Sequence, residues 1–222
     1  MSIVARNNSQ PRELTEAGNH VGYCIKMIEL GTTLENVMGV EKHLHKVNLT
    51  FELPLVTKVF DESKGPQPLV VSKEFTLSMG DKANLRKMLE SWRGSPFTEE
   101  QAKNFDITVL LGKPCMINLT HKPSKKDPTI KYDEISAITP VPKGMTYPKQ
   151  VNPSQELSYD KWDEDLFKSL PDFIRNKMET TPEYKAMRNP NENKFTDDNG
   201  QPLVSDLPAD FYDEPETQEP LF

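Results

Sequence analysis

The chain has 222 residues, of which 35% are apolar and 27% charged, with a formal net charge of -7. That is length for one domain of ordinary size plus extensions, and no apolar run approaches the ~20 residues that a bilayer span requires. The first eighteen residues, MSIVARNNSQPRELTEAG, contain no signal-peptide apolar segment, so a soluble cytoplasmic protein with no membrane association is expected.

The total charge hides an asymmetry. Residues 1–150 hold 20 Lys+Arg against 17 Asp+Glu, a net of +3, whereas residues 151–222 hold 7 against 17, a net of -10. A slightly basic body with a strongly acidic extension is the pattern of a nucleic-acid binder or of a protein with an interaction tail; its plainer reading is a solubilising tail. Cys24 and Cys115 both lie in apolar runs, which predicts buried thiols in a reducing compartment.

Residues 1–18 are polar and read as an arm. His20–Leu30 is apolar with β-branched and aromatic members and reads as the first strand, followed by a turn-rich GTTLENVMG. Glu41–Leu53 alternates with a period of two. It places His43, His45, Val47, Leu49, Phe51 and Leu53 on one face, and Lys42, Leu44, Lys46, Asn48, Thr50 and Glu52 on the other. Pro54 is predicted to end or kink this strand. Val56–Phe60 and Leu69–Leu77 flank the loop DESKGPQP as a hairpin.

Asp81–Gly94 is the clearest helix, with Leu85, Met88, Leu89 and Trp92 on one stripe, Asp81 as N-cap and Gly94 as the stop. Thr98–Asn104 predicts a second short helix, since Thr98 with Gln101 makes a capping box. Ile107–Leu111 leads into the strand Lys113–His121, the basic turn KPSKKDP and a returning strand Thr129–Ile138. Residues 143–158, proline-rich, are expected to form a linker, 159–188 short helices, and 189–222 an acidic flexible tail without a core of its own. Strands without intervening long helices disfavour a doubly wound sheet. The order predicts a mainly β domain over 19–142: an OB-fold-like Greek-key barrel with a helix between strands three and four, ahead of a C-terminal helical and disordered acidic extension. An immunoglobulin-like sandwich is the alternative.

Catalytic signals are weak. Cys24, Cys115 and the four histidines lack metal-ligand spacing, GTTLENVMG lacks the Lys-Ser/Thr ending of a phosphate loop, and no nucleophile–base pair stands out. No enzyme, metal or cofactor is expected. Binding of single-stranded DNA is better supported, because cations interleave with aromatics. Lys46 and Asn48 lie on the polar face of strand two, Lys58 and Phe60 enter the hairpin, and Lys73 and Phe75 leave it. Lys122, Lys125 and Lys126 crowd one turn, with Lys131 and Tyr132 after it. Cations for phosphates and rings for base stacking are what an unpaired strand requires. Phe60 and Phe75 could instead be core, and the lysines merely solvated. The ending DLPADFYDEPETQEPLF carries six carboxylates and no cation, so Asp213, Glu214, Glu219, Leu221 and Phe222 are candidate partner contacts.

The stretches IELGTTLENVMG, HKVNLTFELP, SMGDKANLRKMLESWRG and FDITVLLGKPCMINLTH, together spanning about residues 19–142, resemble bacteriophage single-stranded DNA-binding proteins of replication and recombination modules. The resemblance implies an OB-fold that coats and protects single strands without sequence preference and needs no cofactor. It also implies a C-terminus that recruits phage or host replication and recombination proteins, or regulates binding. The ending EPLF is similar to the acidic tails of such proteins, although its acids are dispersed and Leu221 intervenes. The competing expectation is a phage accessory module that contacts proteins and not DNA.

Overall fold

The computed structural model describes residues 14–37, 39–124 and 127–189. Within them the chain is mainly β. Strands β1 (Gly18–Val37), β2 (Val40–Val59) and β3 (Pro66–Thr76) are followed by helices α1 (Asn84–Arg93) and α2 (Glu99–Lys103) and a 3-10 turn at Ile107–Leu110. Strands β4 (Pro114–Pro123), β5 (Lys131–Thr139) and the short β6 (Gln155–Leu157) come next, and helices α3 (Glu164–Ser169), α4 (Asp172–Glu179) and α5 (Pro182–Arg188) close the described chain. The sheet order is β3-β2-β1-β4-β5, all antiparallel, with β6 added in parallel beside β1. The sheet curls until β3 and β5 lie against each other, and Lys73 Nζ donates to Ile135 O at 2.5 Å across the seam. No strand ladder joins β3 to β5 among the described residues, so the sheet is open where a closed barrel was expected. No described helix is long and apolar enough to cross a membrane.

The period of two in β2 turns Val47, Leu49, Phe51 and Leu53 inward, where each is at most 2% exposed. The stripe of α1 closes this core: Leu85, Leu89 and Trp92 are buried, Trp92 packs 5.8 Å from the Phe51 ring, and its Nε1 donates to Pro114 O. Cys24 and Cys115 are free and buried in the same core, and burial pushes the Cys24 thiol up to about 12. Asp81 is not the N-cap; α1 starts three residues later, and the Asp81 carboxylate accepts instead from Arg86 Nη1 at 2.6 Å. Arg86, with its side chain in the wall of the fold, also donates to Glu90, Glu99, Met79 O and Phe97 O, tying the turns on both sides of α1 together. Gly94, at φ +76°, ends the helix as expected, and the Thr98–Gln101 capping box is present.

Two irregularities in β1 shape the rest. Extra residues between Cys24 and Lys26 and between Glu29 and Gly31 break the alternation, so Cys24 and Met27 both enter the main core. Ile28 and Leu30 are delivered to a second core with Leu157, Leu166, Phe167, Leu170 and Met178. GTTLENVMG is not a connection; it extends the β1–β2 ladder as far as Val37 and Val40. Pro54 does not end β2, which absorbs it in a bulge between Leu53 and Thr57 and continues to Val59.

The stretch read as a linker holds β6 and returns the chain to the sheet. Glu52, fully buried, accepts from Val151 N (2.7 Å), Asn152 N (2.8 Å) and Asn152 Nδ2 (2.5 Å). Farther on, Glu183 at the start of α5 accepts from Thr32 N and Thr32 Oγ1 and lies 3.3 Å from His45 Nδ1, while His45 Nε2 lies 2.8 Å from Glu29. Burial lowers the His45 pKa, but its hydrogen bonds to Glu183 and Glu29 more than offset that, raising it to about 9. Burial raises the Glu183 pKa, and its bonds with His45 and Thr32 reverse this to about 2. The close approach requires Gly31, at φ +84°, because a Cβ there would meet Thr181 Oγ1 and Tyr159 OH at 2.8 Å.

Candidate functional site

The cations and rings singled out in the sequence fall into three places. The first is the end of the sheet. Both β2 and β4 run antiparallel to β1, so the β2–β3 and β4–β5 hairpins leave the sheet in the same direction. One brings Lys58, partly buried opposite Gln67, and Phe60, 65% exposed. The other brings Lys122, Lys131 and the half-buried Tyr132, with Lys122 paired across the ladder to Tyr132. Lys122 Nζ also bonds Glu134 at 3.0 Å, so part of its charge is spent within the hairpin. Lys125 and Lys126 lie outside the described residues, as do Asp213, Glu214, Glu219, Leu221 and Phe222.

The second place is the seam. Phe75 is 5% exposed and belongs to the main core, so its ring is not available to a base. Lys73 points the same way, with Nζ on Ile135 O and 5.9 Å from the Phe75 ring. Position explains both: odd-numbered residues of β3 from Leu69 to Phe75 face inward, and the lysine reaches the edge only by its length.

The third is the outer face of β1–β2–β3. Lys46, 9% exposed, is held by Glu35 at 3.0 Å and approached by Glu74 at 3.9 Å, and Lys177 of α4 binds Glu74 at 2.6 Å. This network closes one side of the face, and the 150–152 segment on Glu52 closes the other. Lys46 is therefore an internal tie and not a surface cation. Asn48 remains half-buried between the two walls.

Between those walls runs a polar row that sequence reading missed. Gln155 of β6, Lys26 of β1, Thr50 of β2 and Ser72 of β3 are successive ladder partners. Thr50 Oγ1 lies 2.9 Å from Ser72 Oγ and donates to Asn48 Oδ1 at 3.4 Å. Lys26 sits inside the apolar run YCIKMIEL, where simple alternation puts it on the same face as Cys24; the bulge reverses its direction. The only signal for it was the lysine itself, interrupting an otherwise buried strand.

A cavity of about 610 Å³ opens on the opposite side of β1, over Met27, Val47, Leu77, Met79, Phe105 and Ile107. Among the described residues Lys103 is its only lining cation, so it does not gather the predicted contacts. Among the described residues no group of three or more His, Cys, Asp or Glu side chains is arranged to hold a metal ion. Compared with protein-family models, curated proteins and solved structures, the chain matches none.

Proposed function

We propose that the curled sheet is an OB-fold barrel and that the protein binds and protects single-stranded DNA without sequence preference, as a non-enzymatic component of phage replication or recombination in the host cytoplasm. The observation that carries this is the strand order β3-β2-β1-β4-β5, with α1 inserted between β3 and β4 and the two end strands brought face to face. That arrangement supports the reading, because oligonucleotide-binding barrels are five-stranded Greek keys. The two hairpins at one end add Lys122, Lys131, Tyr132 and Phe60, which supply charge and rings for a strand. The acidic C-terminal tail, by composition, recruits replication or recombination proteins or regulates access.

Fluorescence anisotropy with oligo-dT tests the reading. Binding should weaken as salt rises, and Phe60→Ala or Tyr132→Ala should each cost ~1–3 kcal/mol if the ring stacks a base. Absence of binding at low salt, both for the full chain and for a chain ending at Ser205, rejects it.

A second reading, a protein-contact module, is favoured by one observation. Leu55, Val59 and Phe60 of the β2–β3 hairpin are 66%, 57% and 65% exposed, a cluster of apolar side chains that a partner could cover. Capture of a host protein that is lost on Val59→Asp, with no oligo-dT binding by the wild-type chain, favours this second reading.

A further inference from the structure

We infer that the polar row on the outer face is a phosphate-binding strip, with Lys26 as the phosphate contact, over which a single strand of nucleic acid crosses β6, β1, β2 and β3. The inference rests on the function proposed above and gives it a contact, Lys26, that the sequence did not suggest.

Among the described residues the Lys26 ammonium makes no hydrogen bond or ion pair, whereas four other ammonium groups on or beside the sheet are held. Lys46 has Glu35, Lys73 has Ile135 O, Lys122 has Glu134 and Lys177 has Glu74. Lys26 is nonetheless half-buried, and desolvation pulls its pKa below the ordinary lysine value. Folding has stripped water from a cation without giving it a counter-charge, a cost that a bound anion would offset. The Glu52 and Glu74 carboxylates of the outer face are already engaged, Glu52 by Val151 and Asn152 and Glu74 by Lys46 and Lys177.

The surroundings suit an extended polyanion better than a small anion. Four adjacent strands make the row about 14 Å wide. Asn48 Oδ1 is taken by Thr50, which leaves its amide N–H groups to donate outward, and the Gln155 side chain has no bond of its own among the described residues. These amides flank the ammonium within the walls set by residues 150–152 and by Lys177 of α4. A phosphodiester would take its charge contact from Lys26 and neutral donors from either side. The acidic network on one wall would keep the strand within the strip.

The test is oligo-dT anisotropy on the full chain over about 50–300 mM NaCl, with wild type, Lys26→Gln and Lys26→Arg. Loss of one phosphate contact should flatten the slope of log affinity against log salt by about 0.7 and weaken binding about tenfold at the low end, with Arg retaining most of it. Thermal unfolding adds a readout that a structural lysine would move the other way: removing an uncompensated, half-buried charge should leave Tm unchanged or raised. Inorganic phosphate or thymidine monophosphate should compete only far above the oligo-dT concentration. Equal affinity and slope in wild type and Lys26→Gln overturns the strip while leaving DNA binding intact. Competition by phosphate as effective as by oligo-dT reassigns it to a small anion. Failure of the wild-type chain to bind oligo-dT at all removes the underlying function as well.

Discussion

The His45 clamp gives a prediction whose size follows from the structure. Two carboxylate neighbours, Glu29 of β1 and Glu183 of α5, favour the charged form of His45 on β2 in the folded state. Its pKa rises from 6.5 to about 9 on folding. A change of that size corresponds to roughly 3 kcal/mol, since each unit is worth about 1.36 kcal/mol. Because the folded pKa is the higher one, this stabilisation is complete below about pH 6.5 and is lost progressively as pH rises through about 9. His45→Gln keeps a hydrogen-bonding side chain but cannot titrate. Urea unfolding of both proteins at several pH values between about 6 and 9.5 should show wild type ahead by roughly 3 kcal/mol at the acidic end and the gap closing towards the alkaline end. A constant gap across that range would refute the argument, because it would mean that the imidazole does not carry its charge in the folded protein.

Glu183 should behave in the opposite sense. Its folded pKa of about 2 lies below the ordinary value of 4.5, so its contribution is present above about pH 4.5 and lost as pH falls towards 2; Glu183→Gln should remove that acid-limb dependence in the same titration. Arg86→Lys should destabilise by about 2–4 kcal/mol in urea unfolding, because one ammonium cannot replace a guanidinium that serves three carboxylates and two carbonyls. Gly31→Ala should loosen the seat of α5 on β1, through positive φ and contacts under 3 Å, and limited proteolysis should cut the 159–189 region faster while β1–β5 stay protected. Trp92→Ala, which empties the space between α1 and Phe51, should cost about 3–5 kcal/mol.

Where local periodicity and local side-chain chemistry decide the outcome, the sequence was sufficient. The alternation of Val47, Leu49, Phe51 and Leu53, the stripe of Leu85, Leu89 and Trp92, the Thr98 capping box and the Gly94 stop each involve residues within a few positions of one another. The mainly β class follows from the order of such strand segments with no long helix between them. The candidate site was legible only in part: Phe60, Lys122, Lys131 and Tyr132 are on hairpins at one end, but Phe75 is core and Lys46 is an internal ion-pair partner.

Tertiary structure decided what no window of sequence contains. A single extra residue in β1 turns Lys26 outward, because strand faces alternate with a period of two and one insertion reverses every later side chain. Chain separated by about a hundred residues satisfies Glu52, and chain 151 residues away grips Thr32, so the polar face of β2 is walled at its ends while Asn48 and Thr50 between them stay partly exposed. Composition could announce that residues 151–189 are acidic and proline-containing; only the geometry of β1 and its bulges could give them a sheet edge and a second core to join.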